Sequence, residues 1–157
     1  MHWLSRIRRL LLLGLLLPTL ALAGAEAEKV LYHLDSDDPG KQREALRMMQ
    51  NHINAVKPDQ LDLVVVLNGN GISLLLEQDA LSRRSSTGRA NADQVVTAQV
   101  DNLRGQGVRF LVCQASMQAR HVQRERDLYH VDKQQLVENG MLAMVHLQQQ
   151  GYAYLKP

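Results

Sequence analysis

The stretch "LDLVVVLNGNGISLLLE" (Leu61–Glu77) decides how this chain is to be read. Its first seven residues are almost continuously apolar and β-branched, without alternation, the pattern of a strand covered on both faces in a parallel sheet. The run breaks at Asn68-Gly69-Asn70-Gly71, a turn whose glycines permit tight backbone geometry, and "ISLLLEQ" then predicts a short helix. A buried strand feeding a turn and a helix is half of a parallel crossover unit.

The flanking sequence repeats the pattern. "KVLYHL" (29–34) predicts a strand, and it is followed by "DSDDPG", where Asp38 suits a helix cap and Pro39 the first turn. Ala45, Leu46, Met49, Ile53 and Val56 then recur at helical spacing until Pro58. From Glu77 to Ala92 the chain is polar and serine-rich, with Arg83, Arg84 and Arg89. That stretch predicts a mobile surface loop, with an anion-binding lid as the functional alternative. After Asp93, Val96, Val100 and Leu103 share one helix face, closed by Gly105 and Gly107.

"VRFLVC" (108–113) predicts another buried strand and "SMQARHV" (116–122) a short helix, whereas "QRERDLYHVDKQQ" (123–135) has no assignable conformation. "LVENGMLAMVHLQQQG" reads as an apolar segment, an Asn139-Gly140 turn and a helix carrying Met141, Leu142 and Val145; "YAYLK" reads as a last strand. Met48, Met49, Met141 and Met144 fit helix faces and are assigned to the core. Strands separated by helices imply right-handed crossovers. The expected class is α/β, one three-layer α/β/α domain with a mainly parallel sheet of about five strands.

The ends and the composition set the compartment. Residues 1–23 place Arg6, Arg8 and Arg9 before a leucine-rich run and Ala21-Leu22-Ala23, the order of a secretory signal peptide. Ile7 before the arginine pair and the greasy run after it favour general export over a twin-arginine route. The apolar run falls short of the about 20 residues of a membrane span, so no stable anchor is expected after cleavage, and the expected location is periplasmic or secreted. Cleavage is expected after Ala23, with Ala25 and Ala27 as alternatives; after Ala23 it removes three arginines and no acid, turning 18 basic and 16 acidic residues into 15 and 16 and leaving residues 24–157 as the domain. That near-neutral, aromatic-poor chain carries no nucleic-acid footprint.

Cys113 is the only cysteine, so an exported chain cannot use it for an internal disulfide. The thiol is buried and inert, paired with another molecule, or chemically used. In open parallel sheets ligands sit beyond the carboxyl ends of strands, and Cys113, His33 and Asn68 to Gly71 all fall there. A following helix N-terminus favours a thiolate, with Ser116 placed to cap that helix and Gln114 beside it. The N–H groups of Asn68, Gly69, Asn70 and Gly71 suit a sulfur anion, although a plain strand-to-helix turn explains the same residues. His33 is a candidate base for Cys113 or an ordinary partly buried histidine. His33, His52, His121, His130 and His146 lack ligand spacing, so neither a metal nor another cofactor is expected. Ser85, Ser86 and Thr87 lack a nucleophile-elbow context.

Taken together, "KVLYHLDSDDPGKQREALRMMQNHINA", "LDLVVVLNGNGISLLLE", "LRGQGVRFLVCQASMQAR" and "GMLAMVHLQQQGYAYLKP" resemble an exported member of the DsrE/DsrF-like family, over nearly all of the chain after the leader. The resemblance implies a small parallel α/β domain, a homo-oligomer and, as in some members, sulfur carried as a cysteine persulfide. Cys113 matches the position at which exported members place a cysteine. Those relatives commonly read cysteine, a spacer, asparagine and threonine; here Ser116 keeps the hydroxyl and Ala115 lacks the amide. The implied function is a periplasmic carrier of sulfane sulfur, its partner a donor or acceptor protein or a small sulfur compound. The competing readings are a non-catalytic ligand- or partner-binding module with a structural cysteine, and a thiol redox protein that needs an intermolecular partner.

Overall fold

The computed structural model describes residues 27–56, 58–81 and 88–157. The leader assigned to residues 1–23, and Arg83, Arg84, Ser85, Ser86 and Thr87 of the polar stretch, lie outside the described residues. Five strands, β1 (Glu28–Leu34), β2 (Leu61–Leu67), β3 (Arg109–Cys113), β4 (Leu136–Val137) and β5 (Ala153–Leu155), form one sheet in the order β4-β3-β2-β1-β5. Every neighbouring pair is parallel. Its helices are α1 (Pro39–Val56), α2 (Gln94–Gly105), α3 (Gln114–Ala119), α4 (Arg124–Asp127) and α5 (Gly140–Gln149).

Strand order dictates the layers. From β1 to β4 the chain steps in one direction across the sheet, and the connection from β4 to β5 travels back past three strands. Right-handed crossovers running in opposite directions place their helices on opposite faces. Alternate strand residues divide accordingly. Val30, Tyr32, Leu63, Val65, Phe110 and Val112 pack with Leu46, Met49, Ile53, Val96, Val100 and Leu103 of α1 and α2. Leu31, Val64 and Val66 pack with Met144 and Leu147 of α5. The expected three-layer α/β architecture is therefore present, with a sheet that is parallel throughout. Phe110 is fully buried, and its truncation to alanine is worth about 3–5 kcal/mol.

Local chemistry accounts for most boundaries. Asp38 Oδ1 accepts from Lys41 N at 2.9 Å and Pro39 opens α1. Asp93 caps α2 by accepting from Val96 N at 2.8 Å, and Gly107 beyond it takes a left-handed φ of 93°. The segment expected as a short helix from Ile72 is a 3₁₀ helix over Gly69–Leu75 that starts inside the glycine turn. Gly71 cannot be another residue there, because a Cβ would stand 1.9 Å from the carbonyl oxygen of Leu34.

Other expectations are corrected. Met48 is exposed while Met49 is buried, since adjacent helical positions cannot share a face, and Met141 is exposed while Met144 is buried. On α5 the side turned to the sheet is Gly140, Met144 and Leu147, so Met141, Leu142 and Val145 face outward. Val56 is only half-buried at the end of α1. Within the polar stretch Ala80 and Asn91 are buried. Asn91 Nδ2 donates to Gln42 Oε1 (2.8 Å) and to the Asp37 carbonyl (2.9 Å), while Gln42 Nε2 donates to Ser73 Oγ (2.8 Å). This closed polar network ties the 3₁₀ segment to α1. Among the described residues no helix is long and apolar enough to cross a membrane.

Candidate functional site

The register brings three predicted residues onto one face of the sheet. His33 pairs with Val66, and Val66 with Leu111, so His33 on β1, Asn68 just after β2 and Cys113 at the end of β3 all project towards α5. The backbone turns directly from β3 into α3 at Cys113, two residues before the expected helix. Ser116 is therefore not the cap. Cys113 caps the helix itself, its Sγ accepting from Ser116 N at 3.4 Å, because the strand ends with this side chain folded over the first turn.

A second helix start meets the same sulfur. Asn139-Gly140, expected as a turn, is the beginning of α5, where Asn139 Oδ1 accepts from Met141 N (2.9 Å) and Leu142 N (3.2 Å). Gly140 N donates to Cys113 Sγ at 3.2 Å. A Cβ at Gly140 would stand 2.9 Å from Asn68 Cβ and 3.2 Å from Cys113 Cβ, so only glycine lets the helix come this close. Sequence reading missed this contact, although asparagine at the head of an apolar segment is the signature of the helix start that makes it.

Ser116 reaches the sulfur from another direction. Its Oγ accepts from Gly69 N at 2.8 Å, which leaves the hydroxyl proton for Cys113. Gly69 sits at a φ of 53°, the left-handed conformation that aims its N–H this way. Burial pushes the Cys113 thiol up. Hydrogen bonds from the Ser116 hydroxyl and from the N–H groups of Gly140, Ser116 and Ala115 outweigh it, so the thiol is held below its ordinary range. Cys113 is 3% exposed. Ala115 in the first turn of α3 and Glu138 and Asn139 just before α5 are exposed, so the sulfur lies beneath the outermost turns.

The remaining predicted residues take other places. His33 has no hydrogen bond to Cys113 among the described residues: its Nε2 meets Asn68 Oδ1 and its Nδ1 the Tyr154 hydroxyl, each at 2.7 Å. Asn68 stands between them because β2 lies between β1 and β3. Proton transfer from Cys113 to His33 thus has no direct path. Asn70 is exposed and accepts from Arg120 at the end of α3. Gly71 N closes the turn onto Asn68 O at 2.8 Å, and its N–H is spent there. Gln114 is half-buried in the first turn of α3. Arg89 is exposed. His52 pairs with Glu28 and Tyr32, and His130 stacks on Tyr129. Among the described residues no three His, Cys, Asp or Glu side chains gather as a metal site.

This arrangement can stabilise negative charge on sulfur and hold a sulfur anion against backbone N–H groups. A solved structure supports the fold: a protein of unknown function, MTH1491 from Methanobacterium thermoautotrophicum, is similar with a TM-score of 0.64 and 25% identity, over 83% of this chain and 99% of that one. No curated protein matches the chain. The model of the DsrE/DsrF-like family matches residues 29–157, from the first strand to the last residue, and the chain belongs to that family.

Proposed function

We propose that this protein carries sulfane sulfur as a persulfide on Cys113. Membership of the family supports a sulfur-relay-type protein. The observation that carries the finer reading is the convergence of Gly140 N and Ser116 N on Cys113 Sγ, which favours a thiolate at the C-terminal end of the sheet. The thiolate attacks the outer sulfur of a persulfide or polysulfide donor. A bond forms between Sγ and that sulfur, the donor's S–S bond breaks, and the donor leaves as a thiolate or a shortened polysulfide anion, or as sulfite where thiosulfate is the donor. An acceptor thiolate then attacks the outer sulfur and returns Cys113 to its thiolate form. No oxidant or reductant is consumed in either step.

Export to the periplasm or beyond follows from the leader pattern of residues 1–23, and fractionation with intact mass of the exported chain tests it. A homo-oligomer is supported by the outward Met141, Leu142 and Val145 of α5, and light scattering tests it.

Intact mass after exposure to polysulfide or thiosulfate, with and without reductant, tests carriage. The expected result is a reducible gain of sulfur on the native protein and none on Cys113→Ser, whose fold is retained. Loading on the serine variant would contradict the assignment. A second reading, a ligand- or partner-binding module with a packed cysteine, is favoured by the 3% exposure of Cys113, and it predicts no loading and no thiol reactivity before unfolding.

A further inference from the structure

We propose that His33 is a positioning residue: through its Nε2–H it holds the Asn68 amide so that Asn68 presents N–H donors, not its carbonyl, to sulfur bound on Cys113. The proposal rests on the carrier reading above and assigns His33 a role other than base.

The geometry has three parts. First, both ring nitrogens of His33 are engaged at 2.7 Å, one with Asn68 Oδ1 and one with the Tyr154 hydroxyl, and the ring is 6% exposed. Oδ1 can only accept, so Nε2 carries the proton, and bare Nδ1 accepts from Tyr154. Second, Asn68 Nδ2 keeps both hydrogens free among the described residues, and Asn68 is only half-buried. Third, Asn68 and Cys113 flank one glycine, their Cβ atoms lying 2.9 Å and 3.2 Å from the position a Gly140 Cβ would take.

The tautomer therefore decides what the site offers. With the proton on Nδ1, His33 would donate to the Tyr154 oxygen and bare Nε2 would accept from Asn68 Nδ2. The amide would then be turned round, with Oδ1 in the place Nδ2 now takes. A persulfide extends one sulfur beyond Sγ and is anionic there. An amide N–H stabilises that charge and a carbonyl oxygen opposes it. The hydroxyl of Tyr154 can donate or accept, so it locks whichever tautomer its neighbours select. β5 supplies Tyr154, and Lys156 beyond it meets Asp35 at 2.6 Å, fastening the C-terminus beside His33.

The resting thiol separates this role from a structural one. Its hydrogen bonds come from Ser116, Gly140 and Ala115, with none from Asn68. In Asn68→Ala and His33→Ala the alkylation rate of the resting thiol stays as in the wild type. After loading with inorganic polysulfide, the bound sulfur is lost to added thiol about tenfold faster, as expected when a hydrogen bond to a charged group is removed. His33→Gln, whose amide N–H can still donate to Asn68 Oδ1, restores most of the retention.

The test follows sulfur mass over time in these variants, beside a long-range proton–nitrogen correlation spectrum of the wild-type imidazole. The spectrum is expected to show the proton on Nε2, and it needs no variant to fold. A proton on Nδ1 overturns the proposal. Variants that hold sulfur as long as a wild type that loads also overturn it and leave the carrier reading standing, as does a His33→Ala defect that His33→Gln does not relieve. A wild type that takes up no sulfur overturns both.

Discussion

The two ends of α5 meet opposite chemistry on the same face of the sheet. At its start Gly140 N and the first turn of α3 converge on Cys113, and the cluster presents donors. Beyond its end Arg109 Nη2 reaches Asp62 Oδ1 at 2.8 Å and the Tyr152 hydroxyl at 2.7 Å, while Tyr152 donates to Asp62. Lys29 Nζ donates to the carbonyl of Gln150 just past the helix at 3.4 Å. Both arrangements agree with the helix dipole, which favours anions at the start and cations at the end. The difference lies in satisfaction. At the far end every charge has its partner within the chain, so that end staples β2 to β3 and to the approach of β5. At the near end the donors converge on one sulfur, which carries a negative charge only as the thiolate.

Perturbing each end should separate stability from reactivity. The largest effect is expected for Gly140→Ala, whose methyl would press on Asn68, Cys113 and Val66. Denaturant unfolding should show a loss of about 1–3 kcal/mol, and displacement of Gly140 N should slow alkylation of Cys113 at neutral pH. Ser116→Ala removes a hydroxyl that supports the thiolate, so the midpoint of the alkylation profile should rise, with a loss of about 0.5–1.5 kcal/mol for the bond that Gly69 N makes to it.

The smallest effect belongs to the far end. Burial raises the Asp62 carboxyl, but hydrogen bonds from Tyr152 and Arg109 and the charge of Arg109 win and hold it below the ordinary carboxylate range. A carboxyl lowered by folding contributes stability above its unfolded-state value, and that contribution disappears as the pH falls through its folded-state value. Asp62→Asn should therefore cost about 0.5–1 kcal/mol at neutral pH, discounted for the partial exposure of the pair. The gap from wild type should close in acid, and sulfur loading should not change. Altered thiol reactivity in this variant would show that the two ends are coupled.

The sheet was legible because its strands announce themselves. "LDLVVVL" has no polar face to offer water, and "VRFLVC" repeats that pattern, so a layer on each side was required. The Asp38 cap could be read, and the start of α2 placed at Asp93, because the bonds that set them are local. What escaped depends on positions distant in sequence. Gly140 looked like a turn glycine because its reason, close approach to Cys113 and Asn68, lies in the crossover from β4 to β5. Met141 looked like core because apolarity does not say which face of a short helix that opens on six apolar residues turns inward. His33 was placed correctly at the carboxyl end of the sheet, but its partner was not legible, because strand order decides that Asn68 stands between it and Cys113.

The most direct test of the central claim is the pH profile of Cys113 alkylation by a small reagent, in the folded protein and after unfolding. The account predicts that the folded thiol reacts and that its profile turns at a lower pH than that of the unfolded chain. A thiol that stays silent until the protein unfolds, or one that turns at higher pH when folded, would contradict an activated sulfur at the meeting of α3 and α5.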